Sequence, residues 1–141
     1  MIAYIFTEKE LKFLCGSLGV RGLAKHQFSE NQLTDAECEQ AIGTLAEKDF
    51  IAVQSGGITV NSGIALLIGA LGKAKRILIG ENEKIFTAYI AEEISLLLIN
   101  DKNSGNYMLY PFETEDKLVE RLHEENIFAW KDIRLEGKLN G

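Results

Sequence analysis

Residues 76–112 read RILIGENEKIFTAYIAEEISLLLINDKNSGNYMLYPF, and the architecture follows from them. Four short apolar runs follow one another: RILIG (76–80), IFTAYIA (85–91), ISLLLI (94–99) and NYMLYPF (106–112). Turn-forming residues separate them, Glu81-Asn82-Glu83 after the first run and residues 101–105 after the third. Strands this close in sequence pair as an antiparallel meander. A meander with one wet face alternates apolar and polar residues. This one does not, since Leu96, Leu97, Leu98 and Ile99 are consecutive. Both faces therefore need cover, and the expectation is that the chain does not supply enough of it. An under-covered sheet points to a binding surface rather than an enzyme pocket.

The elements on either side are helical. Thr7 with Glu10 forms a capping box that opens a helix over residues 7–18, with Leu11, Leu14 and Leu18 on one face and Gly19 as its stop. A polar connector with one basic-aromatic patch runs over 20–33. Thr34 with Glu37 is a second capping box, opening a helix to about Lys48 with the stripe Cys38, Ala41, Ile42, Leu45. Residues 50–54 and 58–60 flank Ser55-Gly56-Gly57 and read as a hairpin. Asn61 or Ser62 caps a third helix through Leu71, with Ile64, Leu67, Ile68 and Leu71 at helical spacing. Thr114, followed by Glu115 and Asp116, starts a last helix with the stripe Leu118, Val119, Leu122. The fold class is α+β: winged-helix-like helices and a small hairpin over 1–72, then a four-stranded antiparallel meander and a final helix packed on the sheet over 73–130. Residues 1–130 make a single domain, and 131–141 a polar tail. Pro111, the only proline, ends the fourth strand, where a missing donor does little harm.

Composition narrows the function. At 141 residues the chain is long enough for a real core. Its 15 basic against 21 acidic side chains give a net charge of −6, which opposes broad binding to a phosphate backbone. Cys15 and Cys38 sit among apolar neighbours in helices and read as reduced core residues. Acidic residues follow the first few apolar ones at once, so no signal peptide is expected. No apolar run is long enough to span a bilayer, and the expected location is cytoplasmic.

The constellations that could carry chemistry fail on their own terms. Gly69-Ala70-Leu71-Gly72-Lys73-Ala74 resembles the end of a phosphate-binding loop. However, Leu67 stands where that motif has its first glycine, Ala74 where it has a hydroxyl, and the segment ends a helix rather than following a strand. Cys15, His26 and Cys38 lack the spacing of a zinc site. His26 reads as a loop residue and His123 as a surface residue of the last helix. Glu92-Glu93 and Glu124-Glu125 are neighbours in sequence only, and general acid–base catalysis needs two groups converging on one substrate. No catalytic residue, cofactor or metal ligand is assigned, and the expectation is a protein that is not an enzyme. Three helices and a hairpin also suit a winged-helix DNA-binding regulator, which is the alternative reading. The helix over 34–48 carries Glu37, Glu39 and Glu47 against Lys48, with Gln40 its only amide, and is a poor reader of base edges.

The passage TLAEKDFI (44–51), the hairpin, the apolar helix around residues 64–71, the meander quoted above and the helix DKLVERLHEE (116–125) come in an order that resembles the EspG-like secretion-associated chaperones of type VII (ESX) systems. The resemblance covers about residues 6–125. It implies a cytosolic chaperone that holds a secretion client soluble before export. Members of that family are roughly twice as long, with two similar α+β halves, so this chain looks like one half. The resemblance therefore implies that a second copy, as a homodimer, a missing segment or a client protein covers the sheet. The expected partner is a protein client, a helical secreted protein, with neither membrane nor nucleic acid. The candidate contacts are Lys102, Asn103 and Asn106 in the loop after the third strand, and the aromatic pair Phe128 and Trp130.

Overall fold

A computed structural model describes residues 3–20, 32–125 and 131–132. The element order is β1 (Tyr4–Thr7), α1 (Glu8–Ser17), α2 (Asp35–Glu47), β2 (Ile51–Gln54), β3 (Gly57–Val60), α3 (Ser62–Gly72), β4 (Arg76–Glu81), β5 (Ile85–Ile90), β6 (Ser95–Asp101), β7 (Asn106–Phe112), α4 (Glu115–Glu124) and β8 (Lys131–Asp132). The fold class is α+β, as expected. The chain divides into two compact units, residues 6–72 on one side and residues 1–5 with 73–141 on the other.

In the first unit the helices start where hydroxyl side chains replace missing backbone partners. Thr7 Oγ1 accepts from the Glu10 amide at 3.1 Å, and Glu10 Oε1 accepts from the Thr7 amide at 2.8 Å. Thr34 and Glu37 repeat the device at 3.1 and 3.0 Å. Each box satisfies two of the donors that a helix start leaves bare. Asn61 Oδ1 accepts from the Gly63 and Ile64 amides, so Asn61 caps α3. At the other end of α2, Asp49 takes φ 62°, and the Phe50 amide reaches back to the Leu45 carbonyl at 3.0 Å. Glycine usually fills this left-handed position, and a short polar side chain is the tolerated substitute. The turn delivers Phe50 to Phe6, with ring centroids 5.3 Å apart. Leu11, Leu14, Ala41, Leu45, Ile64 and Ile68 are buried in this unit.

The second unit is the sheet, ordered β1-β7-β6-β5-β4-β8. Its centre is the expected antiparallel meander, with Phe86 opposite Ile99, Ala88 opposite Leu97, and Leu97 opposite Tyr110. It is larger than the four strands expected. β1 flanks β7, and the two-residue β8 pairs with Leu78 and Ile79 of β4. The first strand was missed because four residues before a capping box carry almost no periodic signal. The second falls in what reads as a polar tail, since β pairing is decided by the neighbouring strand as much as by composition.

The expected shortage of cover is overturned. Leu96, Leu97 and Leu98 are 0% exposed and Ile99 is 2% exposed in the single chain. Leu97 and Ile99 share a cluster with Phe86, Ala88, Phe112 and the α4 residues Leu118 and Leu122, so α4 covers that face. On the opposite face Thr87, Tyr89, Leu96, Leu98, Tyr107 and Leu109 are all buried. Absence of alternation correctly signals a sheet buried on both sides. It does not signal a sheet that lacks its second cover.

Candidate functional site

The predicted contact loop is a tightly bonded turn. The Asn103 amide donates to Asp101 Oδ1 at 3.0 Å, the Gly105 amide to the Asp101 carbonyl at 2.8 Å, and the Asn106 amide to Ser104 Oγ at 3.2 Å. Gly105 takes φ 74°, which closes the turn from β6 into β7. The Asn103 amide is the main reason the Asp101 carboxyl sits below its usual range. Lys102 pairs with Glu81. Lys102, Asn103 and Asn106 are thus brought together in one turn, where the Asn103 and Asn106 amides are already bonded. Phe128 and Trp130 lie outside the described residues, as does His26. His123 is exposed on α4.

Other sequence features resolve locally. Gly69 and Gly72 lie in the last turn of α3, with Lys73 just past its end, so this segment is a helix terminus. Both cysteines are free, Cys15 buried and Cys38 half-buried. Burial pushes the Cys15 thiol up to about 12, which keeps it protonated. Glu92 and Glu93 are exposed between β5 and β6. Lys75 bonds to Glu92 and holds its carboxyl below the usual range. This pair lies on a recess of about 350 Å³ in the sheet unit, lined also by Arg76, Ser95, Glu113 and Glu115. Its charges are mixed and its main basic–acidic pair is already closed. Among the described residues no three His, Cys, Asp or Glu side chains are grouped to hold a metal ion.

Among the described residues the most buried ionisable group belongs to the first unit. The Glu10 side chain is 0% exposed. It accepts from the Thr7 amide, from Lys48 Nζ at 2.7 Å and from Thr44 Oγ1 at 2.7 Å. Burial alone would raise its pKa; the bonds from Lys48, Thr44 and Thr7 outweigh that and hold the carboxyl below its ordinary range. With every oxygen occupied, Glu10 ties α1 to α2 and is not available to a substrate.

A different surface stands out. No charged side chain occurs between Asp49 and Lys73, in a chain where 26% of residues are charged. Within that segment the β2–β3 hairpin closes on the two-residue turn Ser55-Gly56, with Gly57 at φ 138°. Ile51 and Val60 form the cross-strand pair at its base, and Val53 and Ile58 the pair on the same face nearer the tip. Ile51 is buried and Val60 half-buried, whereas Val53 is 60% and Ile58 40% exposed. An apolar face thus begins in the core and continues into solvent. Leu66 of α3, also in the uncharged segment, is 64% exposed. Sequence reading found the hairpin but not the exposed apolar pair it carries. The missing signal was the uncharged run from 50 to 72, which is visible in the sequence; which of its apolar residues remain uncovered is not.

No family model matches the chain, and no curated protein matches it.

Proposed function

We propose that the protein is a non-enzymatic, cytoplasmic protein-binding module that holds a client through an apolar surface, in the manner of a type VII secretion chaperone. The observation that carries this reading is the exposed Val53–Ile58 pair on an uncharged hairpin. Charged residues are depleted at the centres of protein interfaces, and an uncovered aliphatic pair gains free energy when a partner buries it. The occupant that fits is an uncharged apolar face of a helical segment, because nothing on the hairpin can neutralise a charge. The resemblance to EspG-like chaperones makes that segment part of a secretion client. No helix among the described residues is long and apolar enough to cross a membrane.

The winged-helix DNA reading has less support. A wing without a single Lys or Arg releases no counterions from a phosphate backbone. The exposed positions of α2 include Asp35, Glu39 and Glu47, which repel one.

Affinity capture from the native cell, followed by mapping of the bound segment as a synthetic peptide, tests the proposal. The mapped peptide is expected to be apolar and helical, and Val53→Asp is expected to abolish its binding while thermal stability is retained. A peptide that binds Val53→Asp equally well sinks the proposed surface. Tight duplex DNA binding that weakens steeply with salt sinks the proposed function.

A further inference from the structure

Among the described residues β3 has an open backbone edge as well as an apolar face, and the edge has its own geometry. A two-residue loop makes Gln54 and Gly57 the hydrogen-bonded pair that closes the hairpin. Antiparallel ladders alternate, so Ala52–Thr59 is the next bonded pair. Phe50–Asn61 follows, and the Asn61 amide does donate to the Phe50 carbonyl at 2.8 Å. The intervening pairs, Val53–Ile58 and Ile51–Val60, are the non-bonded ones. The amide and carbonyl groups of Ile58 and Val60 therefore point away from β2, toward the outer side of β3. Among the described residues β3 pairs with β2 and with no other strand. Residues 57–59 are exposed and Val60 is half-buried.

Monomeric proteins protect such edges with Lys, Pro, a bulge or an inward charge. β3, Gly57–Val60, reads GITV and has no Lys, Pro or inward charge, and its ladder to β2 runs from Gly57 to Val60 without a bulge. We propose that this edge pairs with the same strand of a second copy of the chain, about a two-fold axis through Thr59. Ile58 then faces Val60 of the other copy, and Val60 faces Ile58. Both are bonded pairs in the required alternation, giving four intermolecular hydrogen bonds. Thr59 faces its own counterpart as the non-bonded pair between them. The apolar faces of the two hairpins join into one four-stranded surface.

Charge selects the second copy as the occupant. A two-fold antiparallel pairing sets residues at or beside their own equivalents, so any charge near the axis meets a like charge across it. The chain as a whole carries −6, and two copies repel over most of their surface. The uncharged segment 50–72 is where they can meet without that cost. The proposal concerns the edge of the strand, and it stands whether or not a client uses the face.

Sedimentation velocity of the full chain over a wide concentration range is the first measurement, with a reversible dimer expected. Thr59 is exposed, so Thr59→Lys leaves the monomer folded while opposing two positive charges at the axis. It is expected to weaken self-association about ten-fold or more, whereas Thr59→Val is expected to retain it. Thr59→Cys, in a Cys38→Ser background, is expected to oxidise to a disulfide-linked dimer. Non-bonded antiparallel pairs place Cα atoms about 4.5 Å apart, within disulfide range. A monomer at every concentration overturns the proposal. So does a dimer that Thr59→Lys leaves intact and Thr59→Cys does not cross-link, which would lie on another surface. A monomer in which Thr59→Lys alters only the binding of a client peptide assigns the edge to the client instead.

Discussion

Removing the Lys48 ammonium should destabilise the first unit in a way that depends on pH. Glu10 is 0% exposed and Lys48 is 37% exposed at the side chain, with 2.7 Å between Nζ and Oε1. Lys48→Met keeps most of the aliphatic stem and deletes the charge. The Thr7 amide and the Thr44 hydroxyl still bond to the carboxylate, which is left without a counter-charge. Breaking a fully buried pair costs about 3–5 kcal/mol and an exposed one about 0–1. With one partner sealed and the other partly wet, about 1–3 kcal/mol is expected at pH 7. Because the folded pKa of Glu10 is depressed, its contribution is present above the unfolded value of about 4.3 and is lost as pH falls through the folded value. The penalty for Lys48→Met should therefore be greatest near neutral pH and shrink toward pH 3. Urea unfolding followed by circular dichroism at pH 7 and pH 3 reads both numbers. Glu10→Gln and the double variant complete a cycle that isolates the coupling from the lost stem packing. A penalty below about 0.5 kcal/mol at pH 7, or one equal at the two pH values, refutes the assignment of Glu10 as a charged tie between α1 and α2.

The cover of the sheet predicts a contrast between two leucines. Leu97→Ala, at a fully buried position facing α4, should cost about 2–5 kcal/mol in chemical denaturation, while Leu66→Ala, 64% exposed, should change stability by less than about 0.5. Similar losses at both sites would mean that the meander is not sealed in the single chain. Thiol labelling at pH 8 should modify Cys38 well before Cys15, whose thiol stays protonated until pH approaches about 12; equal rates under native conditions would contradict the burial of Cys15.

The local chemistry of this chain was legible in its residues. Thr7-x-x-Glu10 and Thr34-x-x-Glu37 announce helix starts because the bonds that define a capping box span three residues. The β2–β3 hairpin follows from Ser55-Gly56-Gly57, and the meander from runs too short and too close for any other pairing. These signals are contained within a few neighbouring positions, so one sequence suffices to read them. The candidate surface was legible only in part. Between Asp49 and Lys73 the absence of charge can be read directly, but the register that leaves Val53 and Ile58 bare and buries Ile51 cannot.

What the tertiary structure alone decided was cover. Four consecutive apolar residues from Leu96 to Ile99 state that both faces of β6 avoid water, and they state it equally for a sealed sheet and a bare one. Their near-zero exposure in the single chain settles the matter, because burial is a sum over residues far apart in sequence. The same holds for Glu10. A glutamate at the third position of a helix reads as a cap, and only folding brings Lys48 and Thr44 to its carboxylate.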